Sequence, residues 1–207
     1  MGAVVALSDL VDARRVWRGR AEAVPAGDQP TGWAALDAAL PTAGWPDASI
    51  TEVLTPLDGV GELRLVLPTL ARLTQGKRPV VVIAPPYVPF AQGWRQRGLR
   101  LAQVHFVRAA EIDVLWAAEQ CLRSGACAAV LVWPKQADDR ALRRLQVAAA
   151  DGQALGFVFR DRRHVANSSP APLRLELTAQ PAPAVWVRKC RGGNPPARPV
   201  PFPDTVH

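Results

Sequence analysis

The residues best placed to do chemistry lie where a strand hands over to a helix. They read Thr55-Pro56-Leu57-Asp58-Gly59-Val60-Gly61-Glu62, after the apolar run 50–54 and before the helical pattern 61–74. A loop at such a junction can hold a phosphate. Glycines let backbone N–H groups converge, a lysine reaches the terminal phosphates, and a hydroxyl at the helix start ligates magnesium. Gly59 and Gly61 are present, but no lysine follows, and the helix opens on Glu62, whose charge would repel a phosphate. An anion-binding turn is one reading of the two glycines. A turn that merely starts the helix is the other, and the flanking Asp58 and Glu62 favour it.

Other candidates are no stronger. His105 sits among Val104, Phe106 and Val107 with no carboxylate or serine in view, and His164 lies beside Arg162 and Arg163. Asp138 and Asp139 precede an apolar-patterned helix, so N-terminal capping explains them. Cys121, Cys127 and Cys190 are odd in number and show no C-x-x-C spacing. That pattern fits a reducing cytoplasm and excludes a zinc site built on paired cysteines. The expectation is a chain without catalytic residues, metal or cofactor.

The elements that must carry these residues alternate. Strands are expected at 50–54, 79–84, 103–107, 127–133 and 154–159, and helices at 61–74, 88–97, 111–124 and 138–150. The near-continuous apolar runs Val80–Ile83 and Val130–Trp133 are those of strands buried on both faces. Two further strands, 173–178 and 184–189, suggest an antiparallel edge. The fold class is therefore α/β, a mainly parallel sheet flanked by helices. Helical segments at 8–20 and 33–40 precede it, giving an N-terminal extension over 1–48, a core over 49–190 and a Pro-rich, mobile tail over 191–207. The 207 residues suit one domain with appendages, and no apolar run approaches the roughly 18 residues of a membrane span. Asp9 and Asp12 break up the apolar opening, which argues against a signal peptide.

Several short motifs resemble RecA-like recombinases. Thr31-Gly32, Leu36-Asp37, Ala39-Leu40, Gly44, Pro46 and Glu52 are similar to that family's approach to its phosphate loop, and Gln75-Gly76-Lys77 precedes a similar second strand. Laid on this junction, the resemblance puts Thr55 and Val60 at the loop's glycines, Gly61 at its lysine and Glu62 at its magnesium-binding threonine. Pro86 then stands near the catalytic glutamate and Trp133 at the magnesium-coordinating aspartate. None of these replacements can do the family's work. The chain thus resembles a RecA-like core that has lost its nucleotide chemistry, as in the ImuA family of bacterial mutagenic translesion synthesis. The tail's Lys189-Cys190-Arg191-Gly192-Gly193 looks similar too. The resemblance implies a cytoplasmic, non-catalytic SOS-response adaptor. Its partners would be an ImuB-like Y-family polymerase homologue and a DnaE2-like polymerase, with RecA as a further candidate. The related SulA family, whose members inhibit cell division by binding FtsZ, is the alternative.

A formal charge of +7 favours acidic partners. Candidate contacts to a partner protein, or weakly to DNA, are Arg140, Arg143, Arg144, Arg188, Lys189, Arg191 and Arg198, with Phe202 as an apolar anchor between prolines. No aromatic platform alternates with the cations, so specific single-strand recognition is not expected. Trp116 shares the face Ile112, Leu115, Leu122, which reads as core. The tail is expected to bind partners or to be an inert solubilising end, and to be dispensable for the core either way.

Overall fold

Strand β1, Ile50–Thr55, is buried along its whole length because both of its neighbours and both of its faces are occupied. The computed structural model describes residues 27–180 and 182–202. After β1 come β2 (Val80–Ile83), β3 (Val104–Val107), β4 (Ala129–Val132), β5 (Leu155–Asp161), β6 (Leu173–Thr178), β7 (Ala184–Cys190) and β8 (Val200–Pro201). They form one eight-stranded sheet in the order β3-β2-β4-β5-β1-β6-β7-β8. Pairing is parallel from β3 through to β6, and antiparallel between β6, β7 and β8. This is the α/β arrangement expected of a RecA-like core, with antiparallel strands at its C-terminal edge.

The helices α1 (Ala34–Ala39), α2 (Glu62–Leu73), α3 (Ala91–Gln96), α4 (Val114–Arg123) and α5 (Asp139–Asp151) cover the sheet from both sides. Alternate strand residues serve the two sides. Val80, Val82, Leu131 and Phe157 pack with Leu36, Leu65, Leu70 and Trp94, whereas Val81, Ile83, Val130 and Val158 pack with Val114, Leu122, Leu142 and Leu145. Two buried faces explain the apolar runs that lack a polar alternation.

The segment 27–48 belongs to the core rather than to an extension. Trp45 is wholly buried, meets Phe157 edge-on at 5.0 Å and donates its indole N–H to Thr69 at 2.7 Å. Trp33 donates to the Leu65 carbonyl at 2.9 Å. The Thr-Gly…Asp spacing has a structural purpose: the Thr31 N–H donates to Asp37 Oδ1 at 2.9 Å. Gly32, at φ 86°, lets the chain pass Pro68 so closely that a Cβ would stand 2.4 Å from the Pro68 Cβ. The helix expected at 8–20, with Trp17, lies outside the described residues.

The tail is also corrected, as far as Phe202. Val200 pairs with Val185, and Val200 and Phe202 are both buried. The free edge of β7 gives the chain a partner that its prolines do not forbid, because proline is tolerated on edge strands. Among the described residues, no helix is long and apolar enough to cross a membrane.

Candidate functional site

The carboxyl ends of β1, β4 and β5 and the turn after β2 open on a cleft of about 440 Å³, lined by Thr55, Leu57, Pro86, Trp133, Lys135 and Arg163 among others. Open α/β sheets hold their ligands at such a crevice. Gly59 and Gly61 sit at φ 84° and 107°, conformations that side chains strain. Their chemistry is redirected inward. The Gly59 N–H donates to Glu62 Oε1 at 2.8 Å, so a tethered carboxylate already occupies an amide that a phosphate would need. Glu62 is buried at the start of α2, where the helix dipole favours an anion. Val60 packs against the core.

Across the cleft, Trp133 stacks on Phe159 with centroids 4.3 Å apart and planes 14° apart. Trp133 is the position that the resemblance to RecA-like recombinases sets at a magnesium-coordinating aspartate, and it carries an indole. Pro86 is exposed at the rim. Ala84, which lines the cleft beside it, holds φ 47°, a left-handed backbone at a non-glycine residue. Among the described residues, no group of three or more His, Cys, Asp or Glu side chains could hold a metal ion. The arrangement can seat an apolar or planar group. Its lysine, Lys135, follows β4, and the loop after β1 brings neither a lysine nor a hydroxyl to the start of α2.

One wall of the cleft rests on a buried charge cluster. Glu52, fully buried in β1, accepts from Arg160 at 2.5 Å and from Arg174 at 2.7 Å. Arg174 also donates to the carbonyls of His164, Val165 and Asn167, which clamps the turn 162–167. Burial and the charges of Arg160 and Arg163 hold the His164 imidazole below its usual range. Burial and Arg174 likewise lower Lys189, which donates to the Ser169 carbonyl at 2.7 Å. Arg160 is thus not a solvated charge. Arginine and glutamate inside otherwise apolar strands, at 52, 160, 174 and 176, were the available signal.

The candidate contact residues do not converge on one site. Arg143 pairs with Asp139 at 2.8 Å and Arg144 with Glu119 at 2.6 Å, both on the outside of α4 and α5. Arg140 is exposed beside them. Arg188, on β7, pairs with Glu176 at 2.6 Å and lies over the Trp186 ring at 4.8 Å. Arg191 and Arg198 are exposed in the segment that leads to β8. Phe202 is no free anchor: it packs near Trp33 at 6.4 Å, and the Arg64 guanidinium covers its ring at 4.8 Å. It also lies beside Gly61, so the tail buttresses the altered loop. Trp116 and Ile112 reverse the opposite way. They are 60% and 88% exposed, because α4 turns Val114, Ala118 and Leu122 toward the sheet.

Residues 49–156, just over half of the chain, match the family model described as cell division inhibitor SulA. The chain belongs to the SulA family. Among solved structures it is similar to SulA from Pseudomonas aeruginosa, with 27% identity over 56% of this chain and 98% of that one, at a TM-score of 0.46. No curated protein matches it. The SulA-family segment runs from just before β1 into β5 and so contains the altered loop, Pro86 and Trp133. Strands β6 to β8 and residues 27–48 fall outside it.

Proposed function

We propose that this SulA-family chain is a non-catalytic, cytoplasmic SOS-response protein that binds FtsZ and blocks septation. The family match across residues 49–156 carries the reading. The cleft supports it, since an internal carboxylate and a stacked indole stand where nucleotide chemistry would be. Inducible expression should give filaments, and an FtsZ variant that escapes SulA should suppress them. In vitro, the purified chain should inhibit FtsZ GTPase activity. Normal division at high expression, with unaltered GTPase turnover, would overturn the reading.

A second reading has its own observation. Strands β6 to β8 and residues 27–48 lie outside the SulA segment yet are packed into the same core, which makes a larger RecA-like sheet. This suits an ImuA-like adaptor working with an ImuB-like Y-family polymerase homologue and a DnaE2-like polymerase, with RecA or weak DNA contact as additions. Co-purification with the ImuB-like protein, and loss of damage-induced mutagenesis on deletion of the gene, would establish it in place of the first.

A further inference from the structure

The rim of the altered cleft carries an unusual surface. Leu57, Tyr87 and Val88 are 72%, 67% and 89% exposed, and Phe90 follows at 69%. Leu57 and Pro86 line the cleft, and the Tyr87 ring lies 3.7 Å from where a Cβ on Gly59 would stand, so the two rim loops meet. Large apolar side chains grouped at the mouth of a cleft mark a binding surface. The wall below holds a second, independent feature. Trp133 is 8% exposed, and its indole N–H has no acceptor. Buried donors are normally paired, so a missing acceptor points to a group that arrives with a ligand.

Charge narrows the choice. The charged side chains lining the cleft are Asp58, Lys135, Arg160, Asp161 and Arg163. Arg160 shares the Glu52 carboxylate with Arg174, and Asp161 is engaged by the Arg163 N–H at 2.8 Å as the cap of the following turn. Lys135 reaches into solvent with its side chain 83% exposed, 4.0 Å from Glu111, and Arg163 is exposed. The Glu62 carboxylate already takes the Gly59 amide, whereas the exposed Leu57, Tyr87 and Val88 side chains offer apolar surface at the rim.

We infer that the cleft is a peptide-docking site. It takes a protein segment that seats a large apolar side chain between Leu57 and Tyr87, supplies a carbonyl to the Trp133 N–H, and sets a carboxylate near Lys135. The inference rests on the reading that the chain acts by binding protein, and it names the surface and the chemistry of the segment bound.

A random dodecamer phage library panned on the purified chain tests this without presupposing the partner. Enriched peptides should pair an aromatic or leucine residue with a nearby aspartate or glutamate. For the best peptide, anisotropy should show roughly tenfold or greater weakening with Leu57→Ser combined with Tyr87→Ser, as expected for a lost apolar anchor. Lys135→Glu should weaken it as well. Trp133→Phe, which keeps the stack on Phe159, should cost about three- to tenfold, the scale of one hydrogen bond. Ile112→Ser with Trp116→Ser, in the turn before α4 and on α4, should change nothing. Melting curves for the exposed rim variants should match the parent. No enrichment, or peptides indifferent to the rim substitutions, would overturn the inference. If the peptides behave as expected while FtsZ does not bind, the FtsZ reading fails and the site stands.

Discussion

Glu52 Oε2 and Arg174 Nε lie 2.7 Å apart and join strands whose residues are separated by 122 positions. The other oxygen of Glu52 takes Arg160, so one carboxylate serves two guanidiniums, with side chains between 0% and 7% exposed. The carbonyls of His164, Val165 and Asn167 complete Arg174, and the cleft wall follows from that clamp. A buried ion cluster of this kind holds only when every member is present.

Glu52→Gln should therefore be among the most damaging single changes. It leaves two guanidiniums buried together without a counter-charge, a situation that costs about 3–5 kcal/mol. Urea unfolding followed by circular dichroism measures this directly. A loss under about 1 kcal/mol would show that the cluster is better hydrated than its burial indicates.

The tail should matter to folding. Phe202→Ala should cost about 3 kcal/mol and lower Tm by roughly 10 °C, since a buried ring is removed from between Trp33 and Arg64. Deleting residues 192–207 should do at least as much, because β8 goes too. Unchanged melting of the truncated chain would mean that the β7 edge is satisfied without it.

Nucleotide should not bind tightly. Equilibrium dialysis with Mg-ATP should show no saturation in the micromolar range, either for the parent or for Glu62→Thr. Removing the carboxylate frees the Gly59 amide but restores neither a lysine nor a metal ligand. Gly61→Lys should also fail, since φ 107° strains any side chain placed there by about 1–2 kcal/mol. Saturable micromolar binding by the parent would contradict the description of the cleft.

Acid should weaken the protein partly through His164. Its folded-state value lies below the ordinary 6.5, because burial and then Arg160 and Arg163 disfavour the imidazolium. The unfolded chain therefore takes up the proton first as pH falls. Stability is unaffected above that range, drops as pH falls through it, and reaches its full loss below the folded value. Urea midpoints taken between about pH 7.5 and about pH 5 should decline less steeply for His164→Gln than for the parent. Parallel declines would exclude His164 as a contributor.

The alternating elements were legible because their residues carry local signals. The run 79–84 becomes β2 at Val80–Ile83, and the pattern at 138–150 becomes α5 at Asp139–Asp151, with the Asp138 side chain accepting from the Ala141 N–H at 2.7 Å as the cap. That the loop after β1 carries glycines at 59 and 61 and a carboxylate at 62 was legible too, whereas the bond from the Gly59 N–H to Glu62 was not. Strand order was not. Glu52 is a lone acid in an apolar run until the sheet places β1 between β5 and β6, where Arg160 and Arg174 wait. The apolar stripe of α4 could be read, but which side of it met the sheet could not. Helix packing buried Val114, Ala118 and Leu122 and left Trp116 outside. For the same reason prolines that read as a loose tail conceal β8, which pairs with the edge strand β7. Periodicity and residue chemistry act within a few neighbours along the chain. Pairing of buried charges and coverage of edges depend on contacts between remote segments, and those exist only after folding.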